Sequence, residues 1–176
     1  MAAARRGEVE AFGALVGRFQ DRLFTVTLRL TRNRATAEDV TQQAFLRAWE
    51  RRQSYDGRWR VSTWLYRIVT NLCVDEHRRR RAHPAALDPG TPPGVGRARQ
   101  PHEALEEREV RDRLNGALAR LPAAQRAVLV LRYLDDLSYG EIGRICGLPV
   151  NTVKSHLLRG KAALRPMLAV VWREDG

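Results

Sequence analysis

Two stretches of this chain carry side chains whose types and spacing could act on another molecule. In residues 62–81, STWLYRIVTNLCVDEHRRRR, Leu65, Ile68, Val69, Leu72 and Cys73 recur at helical spacing and predict a core-facing stripe. Trp64, Tyr66, Arg67 and Asn71 fall off that stripe, which predicts an outward aromatic, cationic and amide surface. Such a surface suits unstacked bases, because every base offers a π-face for stacking and edges for hydrogen bonds. The run Arg78, Arg79, Arg80 and Arg81 suits phosphates. A solvated basic helix end is also favourable for dipole reasons alone, and tryptophan is ordinary core material.

The second stretch is residues 138–161. Ser138 with Glu141 three residues on makes a capping box, a short apolar helix follows, and Gly147-Leu148-Pro149 turns the chain into a further helix. This is the pattern of a helix-turn-helix, whose second helix enters a major groove. Stepping 100° per residue from Val153 puts Asn151, Ser155, Leu158, Arg159 and Ala162 opposite the core, flanked by Lys154 and Thr152. His156 lies on the other flank, near the core boundary. Arginine can bond guanine bidentately, asparagine can read adenine and lysine can meet phosphate. The bland alternative is an ordinary antiparallel helix pair with a solvated face.

Composition narrows the partner. A net charge of +11 on 176 residues favours an anionic partner, nucleic acid before membrane. Most of that excess lies before residue 83. Cys73 and Cys146 sit on apolar faces of separate predicted helices and read as buried free thiols. No metal-ligand cluster, nucleotide-binding glycine loop or nucleophile with a base stands out, so no metal, cofactor or catalytic residue is assigned and the chain is not read as an enzyme. No apolar run reaches the length of a membrane span and no signal peptide opens the chain, which predicts a cytoplasmic protein that is not membrane-inserted.

The elements that must position these stretches are all helical. Phe12, Leu15, Val16, Phe19, Leu23, Val26 and Leu30 form a stripe in residues 8–30. Thr36 reads as the cap of the next helix, with Ala37, Val40, Thr41, Ala44, Phe45, Ala48 and Trp49 inward. Its outward face holds Asp39, Gln42, Gln43, Leu46 and Arg47. Residues 53–60 form a loop with Tyr55 and Trp59 among arginines. Residues 82–101 hold Pro84, Pro89, Pro92, Pro93 and Pro101 and read as an interdomain linker. Beyond it, Val110, Leu114, Ala117, Leu118 and Leu121 predict one helix, and Val128, Leu129, Leu131 and Leu134 a second behind Pro122. Asp135-Asp136-Leu137 breaks that helix, and Pro166 kinks or ends the last. The expectation is two small helical domains, 1–82 and 103–176, joined by a Pro/Gly-rich linker over 83–102.

The chain resembles the extracytoplasmic-function (ECF) sigma factors of the sigma-70 family, small specificity subunits of bacterial RNA polymerase. The residues that carry the resemblance are AEDVTQQAFLRAW from Ala37 and STWLYRI from Ser62. After the linker they are Leu121-Pro122, VLVLRY from Val128, Leu137-Ser138-Tyr139 and Thr152-Val153-Lys154-Ser155. The resemblance implies an all-α fold, a sigma-2-like bundle and a sigma-4-like helix-turn-helix domain on a flexible linker. It implies a transcription initiation factor whose partners are core RNA polymerase, promoter DNA and an anti-sigma factor. Asp39, Gln42, Gln43, Leu46 and Arg47 would dock on polymerase. Tyr55, Arg58, Trp59, Arg60, Trp64, Arg67, Asn71 and Arg78 would meet the melted −10 element. Asn151, Thr152, Lys154, Ser155, His156 and Arg159 would read the −35 element from the major groove.

The chain departs from the family pattern in three ways. Gln43 stands where glutamate is usual, His156 where arginine is frequent, and Gly140 and Gly143 where better helix formers are expected. Each glycine costs about 1 kcal/mol of helix propensity against alanine, so the short helix is expected to be weak alone. Two other readings compete. The segment NTVKSHL from Asn151 is also similar to the recognition helix of LuxR-type regulators, which bind duplex DNA without polymerase. A nuclease would need clustered acidic ligands, whereas Glu38-Asp39 and Asp135-Asp136 read as a helix start and a turn.

Overall fold

A computed structural model describes residues 1–82 and 103–168; the expected linker and the last residues lie outside the described residues. Among the described residues there are eight α-helices, one 3-10 turn and no strand. The helices are α1 (Ala2–Arg5), α2 (Val9–Thr31), α3 (Arg34–Glu50), α4 (Val61–Ala82), α5 (Glu103–Ala119), α6 (Ala123–Leu134), α7 (Tyr139–Cys146) and α8 (Val150–Leu168). The 3-10 turn Arg52–Ser54 follows α3. The all-helical expectation is met.

The first half is a bundle of α2, α3 and α4, each packed on the other two. Leu15, Leu23 and Val26 of α2 meet Val40, Ala44, Phe45 and Ala48 of α3 and Leu65, Val69 and Leu72 of α4 in one core. Fully burying a large apolar side chain contributes about 1.5–3 kcal/mol, and Leu23, Leu65 and Val69 have no exposed surface at all. The second half wraps α5, α6 and α7 against α8. Its core is Leu118, Leu121, Val128, Leu131, Ile142, Ile145, Val153 and Leu157. The halves also touch, α4 packing on α7 and α2 on α6.

Several local expectations are corrected. Asn33, not Thr36, caps α3: its side chain accepts from the Thr36 amide at 2.8 Å, and the Thr36 hydroxyl donates to the same oxygen at 3.0 Å. Asparagine ranks with the best N-caps, and Arg32, at φ 63°, ends α2 just before it. Pro166 lies inside α8 and does not end it, since the helix runs on to Leu168. Val110 and Leu134, expected inward, are 51% and 45% exposed. Tyr66, expected outward, is 1% exposed, because the second half packs on that side of α4.

Candidate functional site

The α7–turn–α8 segment is built as a helix-turn-helix. The Ser138 hydroxyl accepts from the Glu141 amide at 3.3 Å, and the Glu141 carboxylate accepts from the Ser138 amide at 2.9 Å, completing the capping box. The Ser138 hydroxyl bond, followed by burial acting against it, leaves the Glu141 carboxyl below its ordinary value. Gly147, at φ 67°, ends α7 in the left-handed region, and the Gly147 and Leu148 amides both donate to the Gly143 carbonyl. A Cβ at Gly143 would sit 2.7 Å from the Leu148 carbonyl oxygen. That glycine is therefore a packing requirement of the turn. The helix-propensity cost expected of Gly143 thus comes with a close approach that the turn requires.

On α8 the stripe Val153, Leu157 and Gly160 is buried, and Asn151, Lys154, Ser155, Leu158 and Arg159 are exposed. Leu158 is 71% exposed, an apolar side chain within an otherwise polar strip. Thr152 and His156 are half-buried at its margins, and the His156 Nδ1 has no partner among the described residues. Gly160 lets α8 approach α6, since a Cβ there would meet the Leu129 side chain at 2.7 Å.

The α4 end of the molecule is more mixed. Arg67, Asn71 and Arg78 are exposed, as are Arg58, Trp59 and Arg60 in the loop before the helix. Tyr55 is 8% exposed; its hydroxyl donates to the Trp59 carbonyl, and its ring lies edge-on to Trp64 at 5.4 Å. Tyr55 thus braces the loop, and Trp64 is half-buried against the core. Tyr66 sits behind them with its phenol raised by burial first and by Asp135 next. The basic tract is partly committed. Arg79 and Arg80 pair with Glu76 at 2.6 and 2.8 Å, and Arg80 also donates to Thr36. Arg78 stands exposed with no ion pair among the described residues.

A third surface lies between α2 and α3. Asp39, Gln42 and Leu46 line a groove of about 830 Å³ whose floor is Phe12, Val16, Phe24, Phe45 and Trp49. Leu46 is 59% exposed, and Gln43 and Arg47 are exposed outside the groove lining. Phe12 and Trp49 meet edge to face at 5.1 Å, and Arg52 covers the Trp49 ring at 4.2 Å. An apolar floor with a polar and acidic rim fits a partner helix that brings both apolar and basic side chains.

Sequence reasoning passed over Arg126. It is 9% exposed, and its guanidinium donates to the carbonyls of Leu118 at 3.0 Å and Leu121 at 3.1 Å, closing the end of α5. It also donates to the Leu30 carbonyl at the end of α2, 3.0 Å away in the other half. The signal was present: Arg126 lies three and four residues before Leu129 and Val130, on the buried face of α6. Cys73 and Cys146 are free thiols that burial pushes up to about 12 and about 11. No described helix is long and apolar enough to cross a membrane.

Comparison with known proteins follows the same division. The model of sigma-70 region 2 matches residues 15–83, and that of sigma-70 region 4 matches residues 111–164. The ECF RNA polymerase sigma factor SigW of Bacillus subtilis is 36% identical over 172 residues, covering 93% of this chain and 92% of that protein. CnrH, solved in complex with the cytosolic domain of CnrY, superposes with a TM-score of 0.71 at 27% identity over 96% of this chain and 94% of that one. The sigma factor RpoE from Bartonella quintana, solved with the anti-sigma factor NepR, gives 0.74 at 24% identity over 92% of this chain and 98% of that one.

Proposed function

We propose that this chain, which belongs to the ECF RNA polymerase sigma factors of the sigma-70 family, divides promoter recognition between its two halves and docks on core polymerase through the α2–α3 groove. It is a promoter-specificity factor. Asp39, Gln42 and Leu46, with Gln43 and Arg47 beside them, form the polymerase contact. The loop Arg58, Trp59 and Arg60, with Trp64, Arg67, Asn71 and Arg78, holds the melted −10 strand. Unstacking a base costs a few kcal/mol, and aromatic stacking at about 1–3 kcal/mol per base offsets it. Tyr55 contributes by bracing that loop. Asn151, Thr152, Lys154, Ser155, His156 and Arg159 read the −35 element from the major groove. The working boundaries are 1–82, 83–102 and 103–176. The chain acts in the cytoplasm, and a partner of the anti-sigma kind holds it inactive.

The observation that carries this reading is that both sigma regions lie on one chain in this order. A free-standing LuxR-like regulator has no place for the first of them. The test is binding to bacterial core polymerase with the Leu46→Arg variant alongside, followed by transcription from a pool of promoter fragments. Leu46 is exposed, so the variant should fold normally and lose polymerase affinity by at least about tenfold, as an apolar interface anchor does. Unchanged polymerase affinity would remove the groove from the contact. Sequence-specific duplex binding with no polymerase binding would overturn the whole reading.

A further inference from the structure

The short helix α1 is tied to the loop assigned above to the −10 strand. It has four residues, and isolated helices shorter than about 12–15 residues are marginal in water, so tertiary contacts must hold it. Ala4 has no exposed surface, Met1 packs on the core, and α1 rests on α2 and on the Arg52–Ser54 turn from which the loop springs. The Gln53 side-chain amide donates to the Arg5 carbonyl at 2.6 Å, across 48 residues of sequence. Gly7, at φ 95°, then turns the chain into α2.

This placement sets one cation apart. Arg6 pairs with Glu8 at 2.8 Å, and Arg58 of the loop pairs with Asp56 at 2.6 Å. Arg5 is exposed and makes no ion pair among the described residues. Its charge is felt by both Tyr55 and Asp56, so its guanidinium stands beside the loop. Tyr55 in turn holds the Trp59 carbonyl and meets the Trp64 ring. A strand whose bases stack on the loop's aromatics runs its phosphates along the loop's edge, where a fixed cation is favourable. We infer that Arg5 is a phosphate contact of the −10 strand, carried to the edge of the loop by α1 and the Gln53 bond. This rests on the reading of the Trp59 loop as the −10 surface. A charge already held in place gives up less freedom on binding than one on a loose arm. Counterion release sets its size: one phosphate contact on a single strand changes the salt slope by about 0.7, which at ~0.1 M salt is about fivefold in affinity.

The experiment uses the full chain bound to core polymerase and two fluorescein-labelled fragments of a promoter recovered from the transcribed pool, read by anisotropy over a salt series. One fragment carries the −35 duplex and an unpaired −10 strand; the other ends upstream of the −10 element. Arg5 is exposed, so Arg5→Ala keeps the parent's fold. It should weaken binding of the longer fragment about fivefold at ~0.1 M salt, flatten the salt slope by about 0.7 and leave the shorter fragment unchanged. Arg5→Lys keeps the charge and should restore most of the loss. Gln53→Ala also keeps every charge and should reproduce part of the loss; parent affinity there would overturn the tether. Arg6→Ala, at a guanidinium committed to Glu8, should cost clearly less than Arg5→Ala. An equal loss from Arg6→Ala would reduce the effect to net charge and overturn the contact. An unchanged slope for Arg5→Ala, or an equal loss on both fragments, also overturns it. Trp59→Ala, measured alongside, separates the two failures. If Trp59→Ala weakens the longer fragment while Arg5→Ala does not, only the Arg5 contact falls. If neither weakens it, the assignment of this loop to the −10 strand falls as well.

Discussion

Gly140 and Gly143, both on α7, should respond to the same substitution with opposite sign. Gly140→Ala adds a methyl group whose nearest neighbour is the flexible Arg144 guanidinium at 3.6 Å, an ordinary contact. It should gain up to ~1 kcal/mol from helix propensity. Gly143→Ala places its methyl 2.7 Å from the Leu148 backbone oxygen, well inside the 3.4 Å where ordinary contact begins. The turn must open by about 0.7 Å or more, and overpacking of this kind costs ~1–3 kcal/mol. Against the same ~1 kcal/mol propensity gain, the net effect runs from about zero to a loss of ~2 kcal/mol. The Gly143 carbonyl also accepts from the Gly147 and Leu148 amides, so a shift there loosens the bonds that set the α7–α8 crossing. Urea denaturation followed by circular dichroism reads the stabilities of the full chain. Binding to −35 duplexes in the presence of core polymerase reads the crossing. Gly140→Ala should hold or raise both, and Gly143→Ala should lower duplex binding even if stability barely moves. Equal stabilisation by the two alanines would refute the packing argument and restore the view that both glycines only weaken the helix.

Three further outcomes follow from the other surfaces. Arg159→Glu, at an exposed position, should leave folding within about 0.5 kcal/mol of the parent and polymerase binding unchanged. It should weaken −35 duplex binding by about 5- to 150-fold, the worth of one good base contact, as read by promoter titration of the polymerase complex. Trp59→Ala with Asn71→Ala, both exposed, should preserve closed-complex formation but remove permanganate reactivity at the −10 thymines; normal reactivity would take these residues out of strand capture. The Glu141 carboxyl, held down first by the Ser138 hydroxyl, contributes cap stability that is present above the ordinary carboxylate range and lost as pH falls through its lowered folded value. Melting temperatures measured downward from pH 7 should therefore drop less in Glu141→Gln than in the parent chain, and parallel curves would show that the cap carries no such linkage.

The helix faces that meet no other element were legible in the sequence. The exposed face of α3 is one: Asp39, Gln42, Gln43, Leu46 and Arg47 fall between buried positions of an uninterrupted 3.6-residue period and are all exposed. The strip on α8 is another, and its capping box could be read directly from Ser138 and Glu141. Where an element packs on two sides, a single stripe misleads. Val26, Thr27 and Leu28 of α2 are all buried, and Tyr66 is buried on a face of α4 that the first-half stripe leaves outward. Both follow from contacts between residues far apart in the chain, for which local periodicity holds no term. Arg126 is the sharper case. An arginine counts as outward in any hydropathy pattern, yet here it is buried, because the carbonyls ending α5 and α2 need donors that apolar neighbours cannot supply. A charged residue in phase with a buried apolar stripe is thus better read as a donor to helix ends from neighbouring elements than as a solvated position. In this chain that reading of Arg126 leads from the end of α5 to Leu30, and so to the contact between the two halves.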